Sequence, residues 1–264
     1  MNTTFEMVID HPDGAYARQA ARASFDELDR LETCLSRFVD GGDISRLNRA
    51  PAGQSIHLGA DAWACLHEAV ELHTVTYGAF DVSLGSGLPA LVLDPKSSSV
   101  RKAADHTDID LGGIGKGFAL DRLVSLLEDW GIRRACLIGG GSSILALDPP
   151  EGIAGWPVGL GTGSSSFRIT LCQAALGASG TGSLGEHICD PVDPSRMLPT
   201  RRTWVCARNA TWADALATAF MVLAEDRIDS ICHNVEELAA LIEHEEPAGI
   251  RPSLHGHPPL RNPT

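Results

Sequence analysis

Apolar and polar residues alternate over positions 4–9, the period of a strand. The period then changes to that of a helix. Over 14–35, Ala20, Phe25, Leu28, Leu31 and Leu35 recur at helical spacing and make one apolar stripe. A turn at Asp40-Gly-Gly-Asp43 leads to a short helix at Ile44–Asn48. Residues 60–76 form a second long helix, with Ala62, Cys65, Leu66, Ala69, Val70 and Leu72 inward. Residues 88–108 are rich in turns, with short strand-like pieces such as Leu91–Leu93. A third helix covers about 115–130 and stops at Gly131. Arg134–Leu147 reads as a strand interrupted by glycines, and two more strands follow near 156–160 and 166–173. The Gly/Ser/Thr-rich run 177–186 reads as a loop, and Trp204–Ala207 as a short strand. A fourth helix is expected over 211–225, with Ala213, Leu216, Ala217 and Phe220 on one side, and a last strand at Leu238–Ile242. The Pro/His/Gly-rich residues 246–264 are expected to be a disordered tail.

Helices and strands are mixed without regular βαβ alternation and without a repeat or linker. The expectation is a single α+β domain over 1–245. A chain of 264 residues with 44% hydrophobic content can bury a full core. Its net charge of −13 argues against nucleic acid and anionic membrane surfaces as partners. No run approaches the ~20 apolar residues of a membrane span. The seven cysteines are widely spaced, without a C-x-x-C pair, and read as reduced thiols. With no basic and apolar leader pattern at the start, a cytoplasmic location is expected.

Candidate chemistry concentrates in Asp110-Leu-Gly-Gly-Ile-Gly-Lys-Gly-Phe-Ala-Leu-Asp121, followed by the glycine run Gly139–Gly141. Glycines allow close backbone approach, Lys116 offers a cation, and a helix start holds anions. The segment suits a phosphorylated ligand. It equally suits a helix capped at Asp110 with glycines chosen for packing. In Trp212-Ala-Asp-Ala-Leu-Ala-Thr218 the acid Asp214 and hydroxyl Thr218 share one helix face, as hard ligands for Mg²⁺ would. Alternatively Asp214 caps the helix and Thr218 bonds its own i−4 carbonyl. His187 and Asp190, three apart before Pro191, suit either a general base or a local turn. Gly78-Ala-Phe80-Asp81 either presents an aromatic and an acid or caps a helix with Phe80 in the core.

In order, Ser36-Arg-Phe38, Asp43-Ile-Ser-Arg-Leu-Asn48, Gly78-Ala-Phe-Asp-Val-Ser-Leu-Gly85, Asp110–Asp121, Gly139-Gly-Gly-Ser142, Ala178-Ser-Gly180, His187-Ile-Cys-Asp-Pro191 and Ala213-Asp-Ala-Leu-Ala-Thr-Ala219 stand along the chain. This set resembles the ApbE-type flavin transferases (FAD:protein FMN transferases) over about residues 1–245. The resemblance implies a T-fold-like α+β domain with mixed or antiparallel sheets and packed helices. It implies that FAD is substrate, contacting Phe38, Ala79, Phe80, Asp81, Asp110, Lys116 and Ile188. It further implies Mg²⁺ held by Asp214, Thr218 and backbone oxygen near Gly113 and Ala217. The activity implied is transfer of FMN from FAD to a Ser or Thr hydroxyl of an acceptor protein, with release of AMP. Lys116 would be a fixed cation or reach another polar group of FAD, and Asp214 or His187 would be the proton acceptor.

The chain departs from the family pattern at several points. Ser142 replaces the acid of the G-G-D strand. Ala178 opens the segment that is usually T-S-G. Val192-Asp-Pro follows Asp190-Pro191 in place of Thr-Gly, and Asp43-Ile-Ser replaces S-E-L. An FAD pyrophosphatase releasing FMN and AMP, and a non-catalytic FAD-binding protein, are therefore the alternatives.

Overall fold

The computed structural model describes residues 3–83, 85–161, 167–180, 190–191, 193, 195, 201–246 and 249–258. Strand β1 (Phe5–Ile9) leads into α1 (Gly14–Leu35), α2 (Asp43–Arg49), β2 (Ser55–His57) and α3 (Ala60–Val75). Strands β3 (Leu91–Asp94) and β4 (Ser99–Lys102) precede α4 (Gly115–Asp129). Then come β5 (Ala135–Gly139), β6 (Ser143–Ala146), β7 (Trp156–Leu160), β8 (Phe167–Leu171), β9 (Ala174–Gly180) and β10 (Arg201–Ala207). Helices α5 (Ala210–Ala219) and α6 (Glu225–Asn234) and strands β11 (Ala239–Glu246) and β12 (Gly249–Gly256) complete the described chain. Among the described residues no helix is long and apolar enough to cross a membrane.

The main sheet has the order β1-β5-β6-β9-β10-β11-β12, and neighbouring strands are antiparallel throughout. A small sheet β2-β4-β3 and a ribbon β7-β8 stand beside it. Side chains alternate across the main sheet. Leu137, Leu145, Ala175 and Val205 face the helices and join one core. Cys136, Ala146, Leu176, Trp204 and Cys206 face the other way and join a second core with Trp156, Val158 and Leu171 of the ribbon. The result is an α+β protein of three layers: helices, sheet and ribbon.

The early helices follow the sequence pattern closely. Asp13 starts α1, its carboxylate accepting from the N–H groups of Ala15 at 2.8 Å and Tyr16 at 3.1 Å. Leu28, Leu31 and Leu35 are buried as expected, but Phe25 is 42% exposed. Ser24 takes the inner place, its hydroxyl donating to Ala20 O at 2.9 Å.

Three expectations are corrected. The residues from 177 do not begin a loop: β9 runs to Gly180 between β6 and β10. A Cβ on Gly177 would lie 2.1 Å from Ala213 O, so small residues are required where α5 crosses the sheet. The helix expected to reach 225 ends at Ala219, before the buried Phe220-Met-Val222, and a separate helix that was not anticipated, α6, starts at Glu225. Residues 246–264 are not a structureless tail throughout, because 249–256 pair with β11 from Gly249↔Glu246 to Gly256↔Ala239. The outermost position of β12 tolerates Pro252, which an interior strand would not. Finally, β2 was not anticipated.

Candidate active site

Three elements meet at Asp214: α5, which carries it, the first turn of α4, and the start of β6. Helices α4 and α5 approach closely because Gly117 has no side chain. A Cβ there would lie 2.0 Å from Ala210 O and 2.9 Å from Asp214 Cβ. The carboxylate is 3% exposed. Its Oδ1 accepts from Ser143 Oγ at 2.8 Å, and its Oδ2 from Gly117 N at 3.1 Å. Lys116 Nζ spans both oxygens, at 3.1 and 3.2 Å. The anion at the N-terminus of α4 is therefore the protein's own Asp214 carboxylate, in the place where the sequence suggested a phosphate.

The glycine run has a different role. Gly140 and Gly141 have φ of 62° and 67° and, with Ser142, form the three-residue turn between β5 and β6. Lys116 lies along this turn, its Cβ 3.7 Å from a Cβ built on Gly139 and its Cδ 3.5 Å from one on Gly140. These are ordinary contacts; the close approach at Gly140 is to Thr3, whose Oγ1 would lie 2.4 Å from a Cβ there.

One turn further along α5, Thr218 Oγ1 lies 3.2 Å from Ser179 Oγ and 3.3 Å from Asp214 O. The Ala217 carbonyl accepts from Thr203 Oγ1 at 2.6 Å. Asp214 does not cap α5. Asn209 does, accepting from Trp212 N at 2.8 Å. Asp121 adds a second cap: Oδ1 accepts from Ala210 N and Oδ2 from Thr211 N, both at 2.8 Å. Burial raises the Asp121 carboxyl above its ordinary value, against the pull of these hydrogen bonds.

A second group lies along the loop before α4. Asp110 does not cap α4. Its Oδ1 accepts from Gly112 N at 2.9 Å. Arg37 Nε lies 3.0 Å from Asp110 Oδ2, within ion-pair distance but off line for a hydrogen bond. The Arg37 guanidinium also stands 4.6 Å from the centre of the Phe38 ring, which is 79% exposed. Asp81 accepts from Ser83 N at 2.7 Å and Ser83 Oγ at 2.6 Å. Gly85, with φ of 76°, faces the carbonyl of Pro191, which brings Asp190-Pro191 against this turn.

The structure thus brings Lys116, Asp214 and Thr218 together, and separately Phe38, Asp81 and Asp110. Phe80 and Ala79 are buried, so the Phe80 ring is a core side chain backing Gly113, not a face open to a ligand. His187 and Ile188 lie outside the described residues. Sequence reasoning missed Ser143, Ser179, Arg37 and the packing role of Gly117. It singled out Ser142. Strand alternation signals the neighbour, since Ser143 shares the inward face with Leu145.

Among the described residues no group of three or more His, Cys, Asp or Glu is placed to hold a metal. A cation site here would rest on one carboxylate plus hydroxyls and carbonyls, the hard oxygen set that suits Mg²⁺. The Lys116 ammonium on the Asp214 carboxylate shows that this point accepts positive charge.

The fold is an α+β domain in which α4 and α5 meet at a buried carboxylate–ammonium pair. The flavin transferase ApbE from Vibrio cholerae has the same fold, with a TM-score of 0.86 at 20% identity, covering 97% of this chain and 94% of that one. The ApbE family model matches residues 1–242, and the chain belongs to the ApbE family. By that membership it is a transferase. Among its relatives is the FAD:protein FMN transferase of Haemophilus influenzae, 23% identical over 278 residues, covering 86% of this chain and 80% of that protein. The protein of the same name from Treponema pallidum is 26% identical over 268 residues, covering 81% and 74%.

Proposed function

We propose that the chain is an FAD:protein FMN transferase that attaches FMN to a Ser or Thr hydroxyl of an acceptor protein. The observation carrying this reading is the Asp214–Lys116–Ser143 junction at the head of α4, within a chain matching the ApbE family from residue 1 to 242. The acceptor oxygen attacks the FMN-side phosphorus of FAD. A new P–O bond forms, the P–O bond to the AMP phosphate breaks, and AMP leaves. The hydroxyl proton passes to a base, Asp214 or His187. Phe38, Asp81 and Asp110 orient the FAD, with Ala79, Phe80 and Ile188 contributing backbone or packing contacts.

Charge balance supports dependence on Mg²⁺. A diphosphate brings negative charge to a chain of net charge −13. The Lys116 ammonium already sits on Asp214, and the Arg37 guanidinium on Asp110. Held by Asp214, Thr218 and the carbonyls of Gly113 and Ala217, Mg²⁺ would neutralise the diphosphate and stabilise charge on the departing phosphate. Lys116 holds Asp214 in place and adds a fixed cation. Six described cysteines are unpaired, in keeping with a reducing compartment, and we place the reaction in the cytoplasm.

The test incubates the chain with FAD, with and without Mg²⁺, and with an acceptor flavoprotein carrying a Ser/Thr site. The expected result is Mg²⁺-dependent acceptor mass gain equal to one FMN, with one AMP released per transfer. Free FMN and AMP without acceptor modification indicate hydrolysis, and intact FAD indicates binding alone.

A further inference from the structure

Asn48, on α2, makes a two-way amide clamp across 61 positions. Its Nδ2 donates to Ile109 O at 2.8 Å, and its Oδ1 accepts from Ile109 N at 2.8 Å. Ile109 is fully buried. The clamp is itself anchored, because Lys102 Nζ donates to the Asn48 carbonyl at 2.7 Å. Lys102 is 1% exposed, and among the described residues it forms no ion pair with a carboxylate. A buried ammonium is normally paired, because leaving it desolvated is costly. Here its charge is spent on backbone carbonyls, chiefly that of Asn48 and more distantly that of Asp105 at 3.5 Å, which strengthens the Asn48 hydrogen bond.

What the clamp joins gives it a function. Helix α2 follows directly on the segment carrying Arg37 and Phe38. Ile109 immediately precedes Asp110, whose carboxylate pairs with Arg37. The N–H of Asp110 donates to Val82 O at 2.7 Å, so the turn of Asp81 hangs from the same point. Phe38, Asp81 and Asp110 are therefore spaced by one clamp. Lys116 and Asp214 are held elsewhere, by Ser143 and Gly117.

We propose that Asn48, anchored by Lys102, is a positioning residue for FAD. It fixes the distance between the Phe38 wall and the Asp81/Asp110 wall of the FAD cleft, and touches neither the ligand nor the reacting atoms. The inference rests on the FAD reading above. Loss of the clamp loosens the grip on FAD while sparing the diphosphate end, so KM rises and kcat holds.

The test uses the full chain as Asn48→Ala and Asn48→Asp. The second keeps the size and the acceptor for the Ile109 N–H but loses the donor. FAD affinity is read by flavin fluorescence, and KM and kcat by AMP release. For Asn48→Ala the expected result is FAD Kd and KM raised about tenfold, with kcat within about twofold. Asn48→Asp falls between that variant and wild type. Unchanged Kd and KM overturn the proposal, as does a fall in kcat alone. Failure of both variants to fold also overturns it, by showing a purely structural clamp. A wild-type chain that does not bind FAD overturns the FAD reading first and the inference with it, and the wild-type titration distinguishes that case.

Discussion

Replacing Lys116 by Met removes the ammonium from Asp214 while keeping an apolar stem of similar length. Asp214 remains buried, at 3% exposure, and among the described residues its carboxylate keeps Ser143 Oγ at 2.8 Å and Gly117 N at 3.1 Å as donors. Breaking one side of a buried ion pair costs ~3–5 kcal/mol. Lys116 itself is 21% exposed and two donors survive, so the lower end applies, about 3 kcal/mol. For a chain of this size that lowers Tm by roughly 6–12 °C. Asp214→Asn is milder, about 1 kcal/mol, because the amide oxygen still accepts and the freed lysine can turn to solvent. The double variant has neither charge and should be more stable than Lys116→Met alone, a coupling of about 1–2 kcal/mol. Mg²⁺ should stabilise Lys116→Met more than wild type, because the buried carboxylate then lacks its resident cation. Thermal or urea unfolding of the four proteins, with and without Mg²⁺, provides the cycle. A Lys116→Met change within about 0.5 kcal/mol of wild type, or strict additivity, would refute the reasoning.

Other outcomes follow from single contacts. Gly117→Ala forces a methyl into Ala210 O and should cost about 3 kcal/mol in unfolding experiments, whereas Gly141→Ala meets no atom within 4 Å and should cost about 1 kcal/mol through its positive φ alone. The hydrogen bond from Arg251 holds the Glu225 carboxyl below its ordinary value of 4.5. A depressed carboxyl stabilises the fold above that value and loses its effect as pH falls through the folded one. The Tm gap between wild type and Arg251→Ala should thus be full at neutral pH and close on acidification below about 4.5. Burial pushes the thiols of Cys34 and Cys136 up to about 11 and those of Cys206 and Cys232 up to about 12. Among the described cysteines, iodoacetamide at pH 8 should therefore label Cys172 first, and equal labelling of Cys206 by mass spectrometry would contradict its burial.

Elements whose own pattern satisfies their packing were legible in the sequence. Helix α1 shows its stripe because one face meets the core, and α5 is alanine-rich because it is buried nearly all round. Strand β9 was hidden because its residues are small for the sake of another element. Gly177 and its neighbours accommodate α5, so tertiary demand overrode strand propensity. Strand β12 was hidden because Pro252 and the glycines read as a breaker pattern, and only pairing with β11 makes a strand of them.

The site divides along the same line. The Asp214–Thr218 relation is a helix spacing and needs no partner to be seen. The destination of Lys116 is not, because its carboxylate lies 98 positions away. Local rules sent the lysine and the head of α4 toward an external anion. In the folded chain Asp214 arrives first, from a helix brought close by Gly117. This follows from the same electrostatics that suggested a phosphate: a helix start and a lysine attract whatever negative charge the fold delivers. A site read from sequence as anion-binding is thus built around an internal anion. An external diphosphate must then either share Lys116 with Asp214 or bring a further cation, and comparing FAD affinity with and without Mg²⁺ in wild type and Asp214→Asn separates these routes. If Asp214 recruits the cation, Mg²⁺ tightens FAD binding in wild type and loses that effect in Asp214→Asn. An equal Mg²⁺ effect in both would show that the cation binds elsewhere.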